Sequence, residues 1–189
     1  MTLDIAIISH LINTHSGARA PLELAGYLSR KNKVTFYAFS QMQDKKLIQK
    51  LRNKNLKFTR MPYKNTTLIN KFKNTLYLSH LLKKRKHDVI SSHCLLPLFF
   101  GLFFTKTPVI STYYGTQKNA YLEKIFPKDP NYFQKILNLI ANQVIYFNQW
   151  IILNLSTKSI AISIFTQKEA KKNYRKNLEI ITLGKNNLC

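Results

Sequence analysis

Leu3-Asp4-Ile5-Ala6-Ile7-Ile8-Ser9-His10 opens the chain, and after a short polar stretch it continues Ser16-Gly17-Ala18-Arg19-Ala20-Pro21-Leu22-Glu23-Leu24-Ala25. The first run is continuously apolar from Ile5 to Ile8, which suits a strand buried on both faces rather than one with a wet side. In the second, Leu22, Ala25 and Leu28 recur at helical spacing, and Pro21 falls in the opening turn, where its missing N–H costs nothing. Strand, glycine-bearing turn and helix in that order make the first half of a βαβ unit.

The same alternation repeats outward from this unit. Val34 to Phe39, Leu56 to Arg60, Val89 to Ser92, Val109 to Thr112, Ser159 to Ser163 and Glu179 to Leu183 are short apolar runs that predict strands. Between them Ala18 to Lys31, Gln43 to Asn53 and Thr66 to Lys86 predict helices. Tyr113 to Asn131 contains Gly115, Pro127 and Pro130 and has no clean period, so it is expected to be a long loop with room for a short helix. The pattern predicts an α/β domain of residues 1–189, Rossmann-like, with a mainly parallel sheet of about seven strands flanked by helices.

Lys and Arg number 30 against 8 acidic residues, for a net charge of +22. Nucleic acid, anionic lipid and phosphorylated substrates are all compatible with that charge, as is a plain solvated lysine surface. An RNP motif, a helix-turn-helix signature and an arginine-rich stripe are lacking, which weakens the nucleic-acid alternative. The two cysteines, Cys94 and Cys189, form no paired framework and no metal-binding spacing, in keeping with a reducing cytoplasm. No secretory signal pattern precedes the first strand.

Leu95 to Phe104 is apolar but too short to cross a bilayer as a helix. Ile136 to Thr157 is uncharged and long enough, yet Asn138, Asn142, Gln143, Asn148, Gln149 and Asn154 would be costly in hydrocarbon. A long helix, mostly buried or lying at an interface, is expected there.

Candidate chemistry gathers at the carboxyl ends of the predicted strands, the edge where open α/β sheets bind ligands. His10 and the Ser16-Gly17-Ala18-Arg19 turn follow the first strand, and a helix N-terminus there favours phosphate. The bland alternative is that Gly17 makes the turn and Ser16 caps the helix. His93 follows the fourth strand. Thr112, Tyr113, Tyr114 and Gly115 end the fifth; the tyrosines are suited to stacking on a sugar or base, or to packing beneath the loop. Neither GxGxxG nor GxxxxGK[ST] occurs, against a dinucleotide or P-loop site. Glu23 has no second carboxylate at useful spacing, against acid-pair glycoside hydrolysis.

Ile5 to His10 with Ser16 to Leu28, Asp88 to His93, Pro108 to Gly115, Ser159 to Ser163 and Glu179 to Asn186, in that order, resemble the N-terminal domain of family 4 glycosyltransferases of the GT-B fold. The resemblance implies a single GT-B half on the acceptor side, with the donor-binding C-terminal domain absent and the isolated chain inactive. It further implies a hexosyltransferase-like activity: retaining transfer from a nucleotide-sugar to a cell-envelope or lipid-linked acceptor, with no metal or other cofactor, at the inner face of a membrane. The Gly17 loop would meet the donor diphosphate, and His93 and the segment after Thr112 the acceptor. Thr112-Tyr113-Tyr114-Gly115 stands where the family often has T-x-H-G, so Tyr114 holds a histidine's position; Ala18 stands where a second glycine is usual. The other class of reading is a nonenzymatic, membrane-peripheral or nucleic-acid-binding basic α/β module.

Overall fold

A computed structural model describes residues 1–9, 19–39, 45–51, 53–64, 68–93, 106–115 and 132–181. Their order is β1 (Asp4–Ser9), α1 (Arg19–Leu28), β2 (Lys33–Ala38), α2 (Lys45–Leu51), β3 (Leu56–Arg60), α3 (Leu68–Lys84), β4 (Val89–Ser92) and β5 (Val109–Tyr113), followed by α4 (Tyr132–Leu155), β6 (Lys158–Ala161), α5 (Ile164–Tyr174) and β7 (Glu179–Ile180). The seven strands form one sheet in the order β3-β2-β1-β4-β5-β6-β7, and every pairing is parallel.

The alternation of side chains along β1 divides the core between the two faces of the sheet. Ile5 and Ile7 pack with Leu22 and Ala25 of α1 and Phe36 of β2. Ala6 and Ile8 face the other way, onto Leu78 and Leu82 of α3 and Ile152 of α4. Both faces are covered, so continuous apolarity, not alternation, was the right signal for this strand. At Gly26 the first helix passes close to α2: a Cβ there would lie 3.1 Å from the Leu51 side chain.

The amino edge of the sheet is pinned by a polar chain that runs from partly exposed Asp4 inward. Asp4 Oδ1 lies 2.5 Å from His87 Nδ1, and His87 Nε2 lies 3.0 Å from the Tyr37 hydroxyl. His87 is buried and Tyr37 fully so. Asp88 closes the corner by accepting the Asp4 N–H at 2.7 Å. The histidine joins partners on β1 and β2, so its removal should act on the sheet as a whole. His87→Ala is expected to cost about 2 kcal/mol, from lost hydrogen bonds and stranded partners. Urea unfolding checks this, and a loss below about 0.5 kcal/mol would show that the chain of bonds is incidental.

The sequence expectations hold for all seven strands and the first three helices, with ends shifted by a few residues. β5 runs on to Tyr113, β6 starts at Lys158, and α4 starts at Tyr132, earlier than Ile136. Helix α5 was not anticipated; Ser163 caps it, accepting from Thr166 N at 3.1 Å while Thr166 Oγ1 accepts from Ser163 N at 3.0 Å. The apolar stretch Leu95 to Phe104, and any short helix between residues 116 and 131, lie outside the described residues.

Candidate functional site

The strand order creates the site. From β1 the chain moves outward to β2 and β3, then returns to β4 on the opposite side of β1. The connections onward from β1 and from β4 thus run to opposite sides of the β1–β4 boundary, the switch point at which open α/β sheets bind ligands. His93 stands at this point, its backbone N–H donating to Ile8 O of β1 at 2.8 Å. His10, Ser16, Gly17 and Ala18, which follow β1 in the sequence, lie outside the described residues. Arg19 is the first residue of α1, and its guanidinium meets Glu23 one turn on, Nε to Oε1 at 2.5 Å.

Adjacent strands β4 and β5 bring His93 and Tyr114 together. His93 Nδ1 lies 2.7 Å from the Tyr114 hydroxyl and Nε2 lies 3.1 Å from Ser91 Oγ. Burial strips water from the imidazole and pulls its pKa down to about 4. Burial also raises the Tyr114 phenol. At neutral pH both groups are uncharged, with one ring N–H between the two ring nitrogens. Either Tyr114 donates to Nδ1 and Nε2–H donates to Ser91, or Nδ1–H donates to Tyr114 and Ser91 donates to Nε2. The first leaves phenol lone pairs for a ligand hydroxyl; the second leaves the phenol hydrogen. The pair can therefore offer a hydrogen-bond donor or acceptor to a hydroxyl, and an imidazolium acid is suppressed near pH 7.

The remaining residues of this edge divide by burial. Tyr113 is fully enclosed with Leu153, Ala161, Ala170 and Tyr174, its ring edge-on to Tyr174 at 6.0 Å. Thr112 is buried, and its Oγ1 has no hydrogen-bond partner among the described residues. Gly115 takes φ +112°, where side chains are strained, and a Cβ there would lie 3.2 Å from Glu169 Oε2. The Gly115 carbonyl accepts from Gln149 Nε2 at 3.5 Å, and Gln149 Oε1 accepts the Tyr174 hydroxyl.

Ser91, Gln149 and Glu169 were not singled out from sequence. Ser91 lies on β4 two residues before His93, which directly follows the strand, a spacing that puts both side chains on one face of an extended chain. Glu169 had a weak signal, since acids are so few. Among the described residues no group of three or more His, Cys, Asp or Glu is placed to hold a metal ion.

The family model for Glycosyltransferase Family 4 matches residues 17–184. The chain belongs to this family. Its fold is that of GT-B enzymes. Anabaena HepE, solved in complex with UDP-glucose, superposes with a TM-score of 0.65 at 12% identity, covering 96% of this chain and 44% of its own. WaaB, a lipopolysaccharide outer core galactosyltransferase, gives 0.58 at 13%, covering 95% and 45%. A UDP-N-acetylglucosamine 2-epimerase from Rickettsia bellii gives 0.56 at 12%, covering 95% and 44%. At such identities the likeness shows the fold alone, and an epimerase among these structures means that fold does not select the reaction. This chain spans less than half the length of each. Among curated proteins, none matches the sequence significantly.

Proposed function

We propose that this chain is the acceptor-side half of a glycosyltransferase that moves a hexose from a nucleotide-sugar, with retention at the anomeric carbon, to a glycan or lipid-linked acceptor of the cell envelope. The observation that carries the reading is the family match over most of the chain. The UDP-glucose bound to HepE supports a nucleotide-sugar donor, and the substrate of WaaB supports an envelope acceptor.

In this reading the segment of His10, Ser16, Gly17 and Ala18, with Arg19 at the start of α1, lies against the donor diphosphate, where backbone donors stabilise charge on the leaving group. No metal is required for that step. Tyr114 and His93 hold a sugar hydroxyl, with the Thr112 side chain buried at the end of β5. Tyr113 and Gly115 shape this corner. A donor-binding domain completes the cleft. The work is done at the inner face of a membrane.

The test follows the imidazole resonances of His93 by NMR during titration with UDP-hexoses and, separately, short envelope-type glycans. A saturable shift is expected, and Tyr114→Phe should weaken it about fivefold, the loss of roughly one hydrogen bond. If no sugar or sugar nucleotide perturbs His93, the reading is wrong.

A further inference from the structure

Helix α4 is longer than the sheet edge it serves. Gln149 bonds to Gly115 at the carboxyl edge, and from there α4 descends through Leu155 towards β6. The part from Tyr132 to Asn148, about 25 Å of helix at 1.5 Å per residue, lies on the far side of Gln149 from β6. Ile140, Val144 and Phe147 follow one another at i, i+4 and i+7, with Leu139 and Trp150 beside them, and all five are exposed. Phe147 and Trp150 stack with centroids 6.1 Å apart and planes at 14°, although they remain 57% and 44% exposed. Such a stripe on a surface helix ordinarily faces something apolar.

The neighbouring surface is cationic. An open cleft of about 470 Å³ separates α4 from α5, lined by Tyr146, Phe147, Trp150, Asn173, Tyr174 and Arg175. Arg175 is set at the rim by the left-handed C-cap of α5, φ 55°. Lys168, Lys171 and Lys172 are exposed on α5, while its acid, Glu169, is at Gly115. Helix α4 carries no acidic residue.

We propose that this face of α4, with the cations of α5 beside it, is the surface on which the chain lies against an anionic lipid bilayer. Phe147 and Trp150 enter the boundary between headgroups and acyl chains, and Arg175 and the lysines meet lipid phosphates. No helix among the described residues is long and apolar enough to cross a membrane, so the contact is in the plane of the interface. A second copy of this chain is a poor occupant, because each copy would bring a net charge of +22 to the contact. The inference gives a location to the membrane contact of the proposed function and depends on nothing that happens at His93.

The chain contains one tryptophan, Trp150, so its fluorescence reports on this surface alone. Vesicles of phosphatidylcholine with about a third phosphatidylglycerol should bind the full chain, shift Trp150 emission to the blue and allow quenching by brominated acyl chains. Pure phosphatidylcholine should bind at least about tenfold more weakly, and Phe147→Ser and the double change Lys171→Glu, Lys172→Glu should each lower affinity for anionic vesicles about tenfold. All these positions are exposed, and an unchanged circular dichroism spectrum confirms folding. The proposal is overturned by absence of binding, by binding that leaves Trp150 unchanged, by equal binding to neutral vesicles, or by self-association that buries Trp150 without lipid. Vesicle binding without a sugar-dependent shift of His93 would keep this inference and sink the transferase reading; the reverse result would do the opposite.

Discussion

Tyr174→Ala is expected to lower the unfolding free energy by about 4 kcal/mol, within the range for removing a buried aromatic ring. Tyr174 closes the core beneath the end of β5, packed with Tyr113, Leu153, Ala161, Ala170 and Leu178. Its ring stacks on Tyr146 at 4.8 Å and meets Tyr113 edge-on, contacts that add to the area it buries. Its hydroxyl donates to Gln149, which is fully buried. Tyr174→Phe keeps the ring and strands one amide oxygen, so about 1–2 kcal/mol is expected. Urea denaturation of both variants separates packing from the hydrogen bond. Equal losses would mean that the hydroxyl carries the effect, contrary to the packing account. Through Gln149 the ring also reaches Gly115, so Tyr174→Phe should loosen the backbone beside Tyr114, visible as faster amide hydrogen exchange there.

How much of this was legible depended on the kind of signal. β1 was plain, because Ile5 to Ile8 are buried on both sides and nothing else explains four consecutive apolar residues. Helix α5 was obscure: its buried residues are Thr166, Ala170 and Tyr174, thinly spread among lysines, and its capping box uses threonine where glutamate or glutamine is the familiar sign. The ends of β6 were misjudged because pairing with β5, from Ile110↔Lys158 onward, sets them, and Lys158 is not apolar. Gln149, one of the amides that would be costly in hydrocarbon, has a partner at both ends of its amide through tertiary contacts that the sequence does not reveal. For His93 and Tyr114, placement on one sheet edge could be read from strand ends. Their hydrogen bond could not, since it needs β4 and β5 to be neighbours.

The His93 environment predicts the pH dependence of stability. In the unfolded chain the imidazole titrates near 6.5, and in the folded protein it takes a proton only near pH 4. The folded state therefore prefers the neutral ring, and the stability this preference allows is fully present above about pH 6.5. As pH falls from there, the unfolded chain binds a proton that the folded one refuses, and stability declines until the folded ring titrates at about 4. A gap of roughly 2.5 units sets a ceiling of about 3 kcal/mol on the loss. With only 8 acidic residues in the chain, carboxylate titration adds little over the upper part of this range. His93→Gln retains hydrogen-bonding capacity and cannot titrate, so subtracting its pH profile from that of the parent isolates the histidine. The difference should grow between pH 6.5 and 4 and level off below; a difference flat with pH would mean that water reaches the imidazole freely. Tyr114→Phe removes one of the two hydrogen bonds to the ring and leaves Ser91 in place. A neutral imidazole and a protonated phenol in contact are a pair suited to hold a hydroxyl in place, and the same desolvation that costs acid stability is what keeps them neutral at pH 7.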